Sequence, residues 1–151
     1  MGYLYKNDYY EILLRLQRHI QLKVTKVNKK MAEHNVLGKK GEEAAKQYLV
    51  DKGYKIKELN WRFRKNEIDI IATLNNLLVI IEVKTRTNDF FENPKEAVTR
   101  KKQKFIINAA EAYIMEKNID HEVRFDIVAI TLSNEQIKIE HIEDAFQPSL
   151  L

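Results

Sequence analysis

The chain has 151 residues, of which 44% are hydrophobic, 32% charged and 9% aromatic, and it contains no cysteine. This is the composition of one globular domain; it excludes a disordered or collagen-like chain, and the missing cysteines exclude disulfides, thiol catalysis and cysteine-ligated zinc. The net charge of +4 is uneven, with +5 over residues 1–30, +5 over 31–104 and −6 over 105–151, so a basic front and an acidic back point to an anionic partner meeting one side, against the plainer reading of an uneven surface.

The longest aliphatic run, Leu77–Ile81, is far too short to span a membrane, and the N-terminus has no apolar signal core. The expectation is a cytoplasmic protein with no membrane partner. Residues 1–30 read as a basic amphipathic extension. Tyr9, Ile12, Leu13, Leu16 and Ile20 recur at helical spacing among Arg15, Arg18 and Lys23. Met31 is a credible alternative start, so the domain proper is expected over 31–151.

From Asn35 the chain alternates between periods. Leu37, Ala44, Ala45, Tyr48 and Leu49 mark a helix that Gly53 ends as its C′ residue. Strands are expected over 54–61, 67–73 and 77–85, the third aliphatic enough to be central. Asn93-Pro94 opens a turn into a second helix, whose apolar positions are Phe105, Ile106, Ala109, Ala110, Tyr113 and Ile114. Strands at 123–130 and 136–142 close the chain. The order helix, three strands, helix, two strands argues an α/β or α+β sandwich around one mixed sheet.

The chemistry concentrates in Glu67-Ile-Asp69 and Glu82-Val-Lys84. Asn75-Asn76 between them suits a two-residue hairpin turn. In that register partners have numbers summing to 151, so Asp69 faces Glu82 and Glu67 faces Lys84, all on one side of the sheet. A Glu67–Lys84 pair is favourable, whereas two carboxylates directly opposite repel. Two carboxylates, a backbone carbonyl such as that of Val83 and waters suit Mg²⁺ or Mn²⁺, and Lys84 beside them can orient or deprotonate a water. The competing reading is a solvent-facing charged row on an edge strand. Arg62, Arg64, Lys65, Arg86, Arg100, Lys101 and Lys102 flank these strands and open the second helix, as a surface for backbone phosphates or simply as a solvated face. Asp126 lies among core-like residues and reads as structural. Trp61 and Tyr54 read as core before base-stacking. His19, His34, His121 and His141 are scattered and receive no metal role.

Asp69 followed by Glu82-Val83-Lys84, within this element order, resembles the PD-(D/E)xK nuclease superfamily. Gly41-Glu42 with Ala45, Tyr48 and Leu49 narrows the likeness to the YraN family of small bacterial proteins. So do Asn60-Trp61-Arg62, Glu67-Ile-Asp69, Glu82-Val-Lys84-Thr-Arg86, Ala97-Val98-Thr-Arg-Lys-Lys-Gln103, Arg124-Phe-Asp-Ile-Val-Ala129 and Asp144-Ala-Phe146. The likeness covers about residues 31–147 and departs at Asn66 and at Phe90–Asn93, where the family usually has glycine. It implies a restriction-endonuclease-like core with a central mixed five-stranded sheet. It also implies a metal-dependent endonuclease acting on DNA, branched or junction DNA among its substrates, similar to archaeal Holliday junction resolvases and working as a homodimer. By resemblance Asp69 and Glu82 are the metal ligands, Lys84 the catalytic lysine, and Glu42, Lys102 and Gln103 neighbours of the site. A non-catalytic nucleic-acid-binding module with the same fold is the alternative.

Overall fold

The computed structural model describes residues 4–87, 98–133 and 136–148, except for the side chains of 4–14 and 16. The first helix, α1, runs unbroken from Leu4 to Asp51. It therefore joins the two helical stretches that the sequence pattern separates. The chain divides into two compact units, Met1–Val36 and Leu37–Leu151. In the first, every described side chain from Arg15 to Val36 is exposed, including Ile20, Val24, Val27 and Met31.

In the second unit, the end of α1 buries Gly41, Ala45 and Leu49, one face of the helix at a four-residue repeat. Gly53 ends it as expected, with φ of 88°, while the Tyr54 N–H reaches back to the Leu49 carbonyl and the Gly53 N–H to Val50. This pair of bonds satisfies carbonyls that the helix end leaves open.

Strands β1 (Lys55–Phe63), β2 (Asn66–Leu74) and β3 (Leu77–Arg86) form an antiparallel meander. The α2 helix (Arg100–Lys117) then crosses over to β4 (Glu122–Leu132), which lies parallel to β3; β5 (Ile137–Ile142) returns antiparallel to β4. The result is one mixed five-stranded sheet in the order β1-β2-β3-β4-β5, an α/β architecture with the expected element order. The expected Asn93-Pro94 turn lies outside the described residues.

The hairpin register is the one the Asn75-Asn76 turn predicts: Leu74 pairs Leu77, and the ladder continues to Ile70 opposite Ile81. Asn75 takes the left-handed conformation, φ 53°, that asparagine tolerates. Each sheet face has its own core. Ala45 and Leu49 of α1 pack on Ile70, Ala72, Val79, Ile81, Val83, Val128 and Ile130. On the other face Ile106, Ile107, Ala109, Ala110 and Tyr113 of α2 pack on Ile71, Leu78, Ile80, Phe125 and Ile127. With both faces covered, β3 is almost wholly buried from Leu78 to Val83, as its aliphatic run requires. Phe105 is an exception to the expected helix face: it is 40% exposed, with the Lys101 ammonium 5.9 Å from its ring centre. Ile107 takes its place inside.

Candidate carboxylate centre

The β2–β3 ladder stops at Ile70–Ile81, one residue short of the acidic pair. There the Asp69 side chain takes over: its Oδ2 accepts the Val83 N–H at 2.7 Å. Glu82 alternates with Leu78 and Ile80, so its side chain belongs to the α2 face of the sheet. It is 2% exposed, and Lys84 Nζ donates to Oε1 at 2.7 Å. From the first turn of α2, Lys102 Nζ lies 3.1 Å from Oε2. That pair is electrostatic only, because the geometry is not that of a hydrogen bond and Oε2 has no directed donor.

Burial and the neighbouring Glu82 carboxylate push the Asp69 carboxyl up to about 7, against the opposing pull of the Val83 N–H, Lys102 and Lys84. Two carboxylates that cannot both ionise comfortably, held where the strands part, form a preorganised acceptor for positive charge.

The other predicted residues are placed as follows. Glu67 pairs with Arg62 of β1 at 3.1 Å rather than with Lys84, whose ammonium goes to Glu82. Glu42 is on α1, where its Oε2 accepts from Asn60 at 3.2 Å. Gln103 donates from Nε2 to the Val98 carbonyl at 3.0 Å, closing the approach to α2. Thr99 caps that helix through a 3.3 Å bond from the Lys102 N–H. Arg64 and Lys65 are exposed at the β1–β2 turn, with Arg64 at φ 56° and its guanidinium 5.2 Å from the centre of the Phe63 ring. Arg86, Arg100 and Lys101 are exposed at the end of β3 and the start of α2. Val83 follows Glu82 on β3, its N–H given to Asp69. Among the described residues no group of three His, Cys, Asp or Glu side chains comes together as a metal cage. Lys102 is expected both among the phosphate contacts and, by resemblance, beside the site; its ammonium lies over Glu82, a contact that depends on how α2 docks and that helical spacing alone does not reveal.

The opposite sheet face carries a second polar cluster. Asp126, fully buried, takes two bonds from Arg124 at 2.9 and 2.8 Å. It also meets His141 Nε2 at 2.8 Å and the Asp144 N–H at 3.0 Å. Arg124 further donates to the Tyr54 hydroxyl at 2.7 Å and pairs with Glu143 at 2.8 Å. Burial would raise the Asp126 carboxyl, but the bonds from His141, Arg124 and Asp144 outweigh it and hold the group below its usual range. Every acceptor site here is used internally, so Asp126 is structural, as its core-like neighbours indicate. Trp61 is half-buried and packs against the α2-face core, edge-on to Tyr113 with centroids 5.2 Å apart.

Fold and site together define an α/β chain in which a buried glutamate, Glu82, and a half-buried aspartate, Asp69, meet at the parting of two central strands. The family model described as "Uncharacterised protein family UPF0102" matches residues 41–130. A UPF0102 protein of Phocaeicola vulgatus is 50% identical over 120 residues, covering 80% of this chain and 99% of the relative. One of Christiangramia forsetii is 52% identical over 116 residues, 77% of this chain and 98% of the relative. The UPF0102 protein FP2501 of Flavobacterium psychrophilum is 48% identical with the same coverage. This chain belongs to the UPF0102 (YraN) family. No helix among the described residues is long and apolar enough to cross a membrane.

Proposed function

We propose that this protein is a metal-dependent endonuclease that hydrolyses phosphodiester bonds in DNA. The observation that carries the reading is the Asp69–Glu82 pair, with a buried Glu82 oxygen lacking a directed donor and Lys84 2.7 Å from the other oxygen. The donor set fits Mg²⁺ or Mn²⁺, which take one or two carboxylates and complete their shell with water, backbone carbonyl and substrate phosphate. Asp69 and Glu82 would hold the ion, with the Val83 carbonyl as the neighbouring backbone donor. When bound, it supplies Lewis acidity toward a phosphate and lowers the pKa of a water.

The chain's own residues do the rest. Glu82 holds Lys84 at the site, where the ammonium can orient the attacking water and balance charge growing on the phosphate. Arg64, Lys65, Arg86, Arg100 and Lys101 supply exposed charge for backbone phosphates, a contact that weakens steeply with salt. Branched DNA is the substrate class we favour, cut by a homodimer whose two-fold symmetry makes paired incisions. Action on DNA implies a cytoplasmic protein.

One observation favours a non-catalytic nucleic-acid-binding module instead: Glu82 already has two ammonium partners and can persist without metal. A cleavage assay on labelled duplex, flap and four-way junction DNA with Mg²⁺, then Mn²⁺, separates the two. Cutting that requires metal and is abolished by Glu82→Gln and Lys84→Ala supports the nuclease. Binding without cutting, unmoved by either substitution, supports the module.

A further inference from the structure

We propose that Lys102 is a built-in counter-ion that a divalent cation must displace from Glu82, so that α2 sets the metal affinity of the carboxylate pair. The inference rests on the metal-binding reading above.

A carboxylate that is 2% exposed needs compensating charge. Lys84 and Lys102 provide it unequally. Lys84 sits two residues along the same strand and makes an aligned 2.7 Å hydrogen bond to Oε1. Lys102 comes from a separate element and approaches Oε2 at 3.1 Å without alignment. Its side chain is 34% exposed, on a flexible four-carbon stem that can swing to solvent. Oε2 is therefore the more loosely held oxygen, and the one an incoming cation can take.

The placement of Lys102 runs against the helix's own preference. The first turn of α2 holds Arg100, Lys101 and Lys102 and no acidic residue. Cations are disfavoured at the positive end of a helix dipole, so these residues do not serve helix stability. Lys102 faces a negative group instead, Glu82 when metal is absent, and is free to meet a phosphate once released. Thr99 and Gln103 fix the backbone of this turn, so only the lysine stem needs to move.

The test is calorimetric titration of Mn²⁺ into the full chain and into Lys102→Gln, Lys102→Met, Lys102→Arg and Glu82→Gln, with thermal melts in chelator and in Mn²⁺. Two neutral variants are included so that one poorly folding protein does not decide the matter. The expected result is about tenfold tighter Mn²⁺ binding in both neutral variants, near 1.4 kcal/mol. They should also melt lower in chelator and gain more from Mn²⁺ than the unaltered chain, while Lys102→Arg keeps the original affinity. Unchanged or weaker affinity in the neutral variants, with Glu82→Gln still abolishing binding, would overturn the role of Lys102 and leave the metal site standing. No Mn²⁺ binding by any of the proteins, the unaltered chain included, would remove the metal reading and this inference with it.

Discussion

The approach of α1 to β3 can be tested with two glycines on one helix. A Cβ built at Gly41 falls on the Thr85 side chain, 2.8 Å from both its Cβ and its Cγ2 and in contact with Oγ1. A Cβ at Gly38, three residues earlier, meets nothing within 4 Å. Alanine at either position gains roughly 1 kcal/mol of helix propensity over glycine. At Gly41 that gain is set against overpacking of about 1–3 kcal/mol, because half-buried Thr85 is held on β3 by its pairing with Ile130 of β4. Gly38→Ala should therefore raise the melting temperature. Gly41→Ala should fall below it by the steric difference of about 1–3 kcal/mol, or about 3–9 °C for a chain of this size. Adding Thr85→Ala removes Oγ1 and Cγ2, and the double variant should recover at least 0.5 kcal/mol relative to additivity, roughly the lower limit for coupled contacts. Differential scanning calorimetry on Gly38→Ala, Gly41→Ala, Thr85→Ala and the double variant is the assay. If Gly41→Ala stabilises as much as Gly38→Ala, or if Thr85→Ala gives no rescue, α1 does not lie on β3 as described.

Asp126→Ala strips the partner from Arg124 and His141 in a buried network and should cost about 3–5 kcal/mol in urea unfolding. A loss below about 1 kcal/mol would show that these bonds add nothing net. The same carboxyl has a folded pKa below its unfolded value. Its stabilisation is therefore complete above the ordinary carboxylate pKa of about 4 and is lost as pH falls through the lower folded value. Stability measured from pH 6 to pH 2 should decline less steeply in Asp126→Asn than in the unaltered chain; parallel declines would assign the acid sensitivity elsewhere. Removing residues 1–30 takes away none of the described buried residues, since the described hydrophobic core begins at Ala45. The shortened chain should melt within about 2 °C of the full one, equivalent to under 1 kcal/mol, and a larger drop would mean that the extension contributes to the fold.

Much of the fold could be read directly because single residues decided it. Gly53 announced the helix end, and Asn75-Asn76 set a register that the ladder follows through Ile70–Ile81. That register brought Asp69 and Glu82 to the same place. It failed for Glu67 and Lys84, because the backbone pairing it assumes has ended before them; Glu67 turns to Arg62, a neighbour on β1. The β1 irregularity between Ile56 and Glu58, with Asn60 at φ 52°, had no sequence signature beyond an asparagine. His141 looked isolated because its partners, Asp126 and two tyrosines, come from other elements. Likewise the family resemblance makes Gln103 a neighbour of the site, but its amide donates to the Val98 carbonyl. These are contacts of tertiary structure, and local periodicity carries no information about them.

The crossover between β3 and β4 also fixes the order in which the acidic centre is assembled. The β1–β3 meander closes through short turns, whereas the parallel β3–β4 pairing must wait for a connection that runs through α2. Closing that long loop carries the larger entropic cost and belongs to the slow part of folding. A nascent chain released as far as residue 87 would thus hold both acidic side chains and Lys84, but not Lys102. For that interval during synthesis, a half-neutralised carboxylate pair would lie open on an unfinished sheet. Pulse-labelled ribosome-bound chains truncated before and after α2 would show the centre gaining protease protection only with the longer chain.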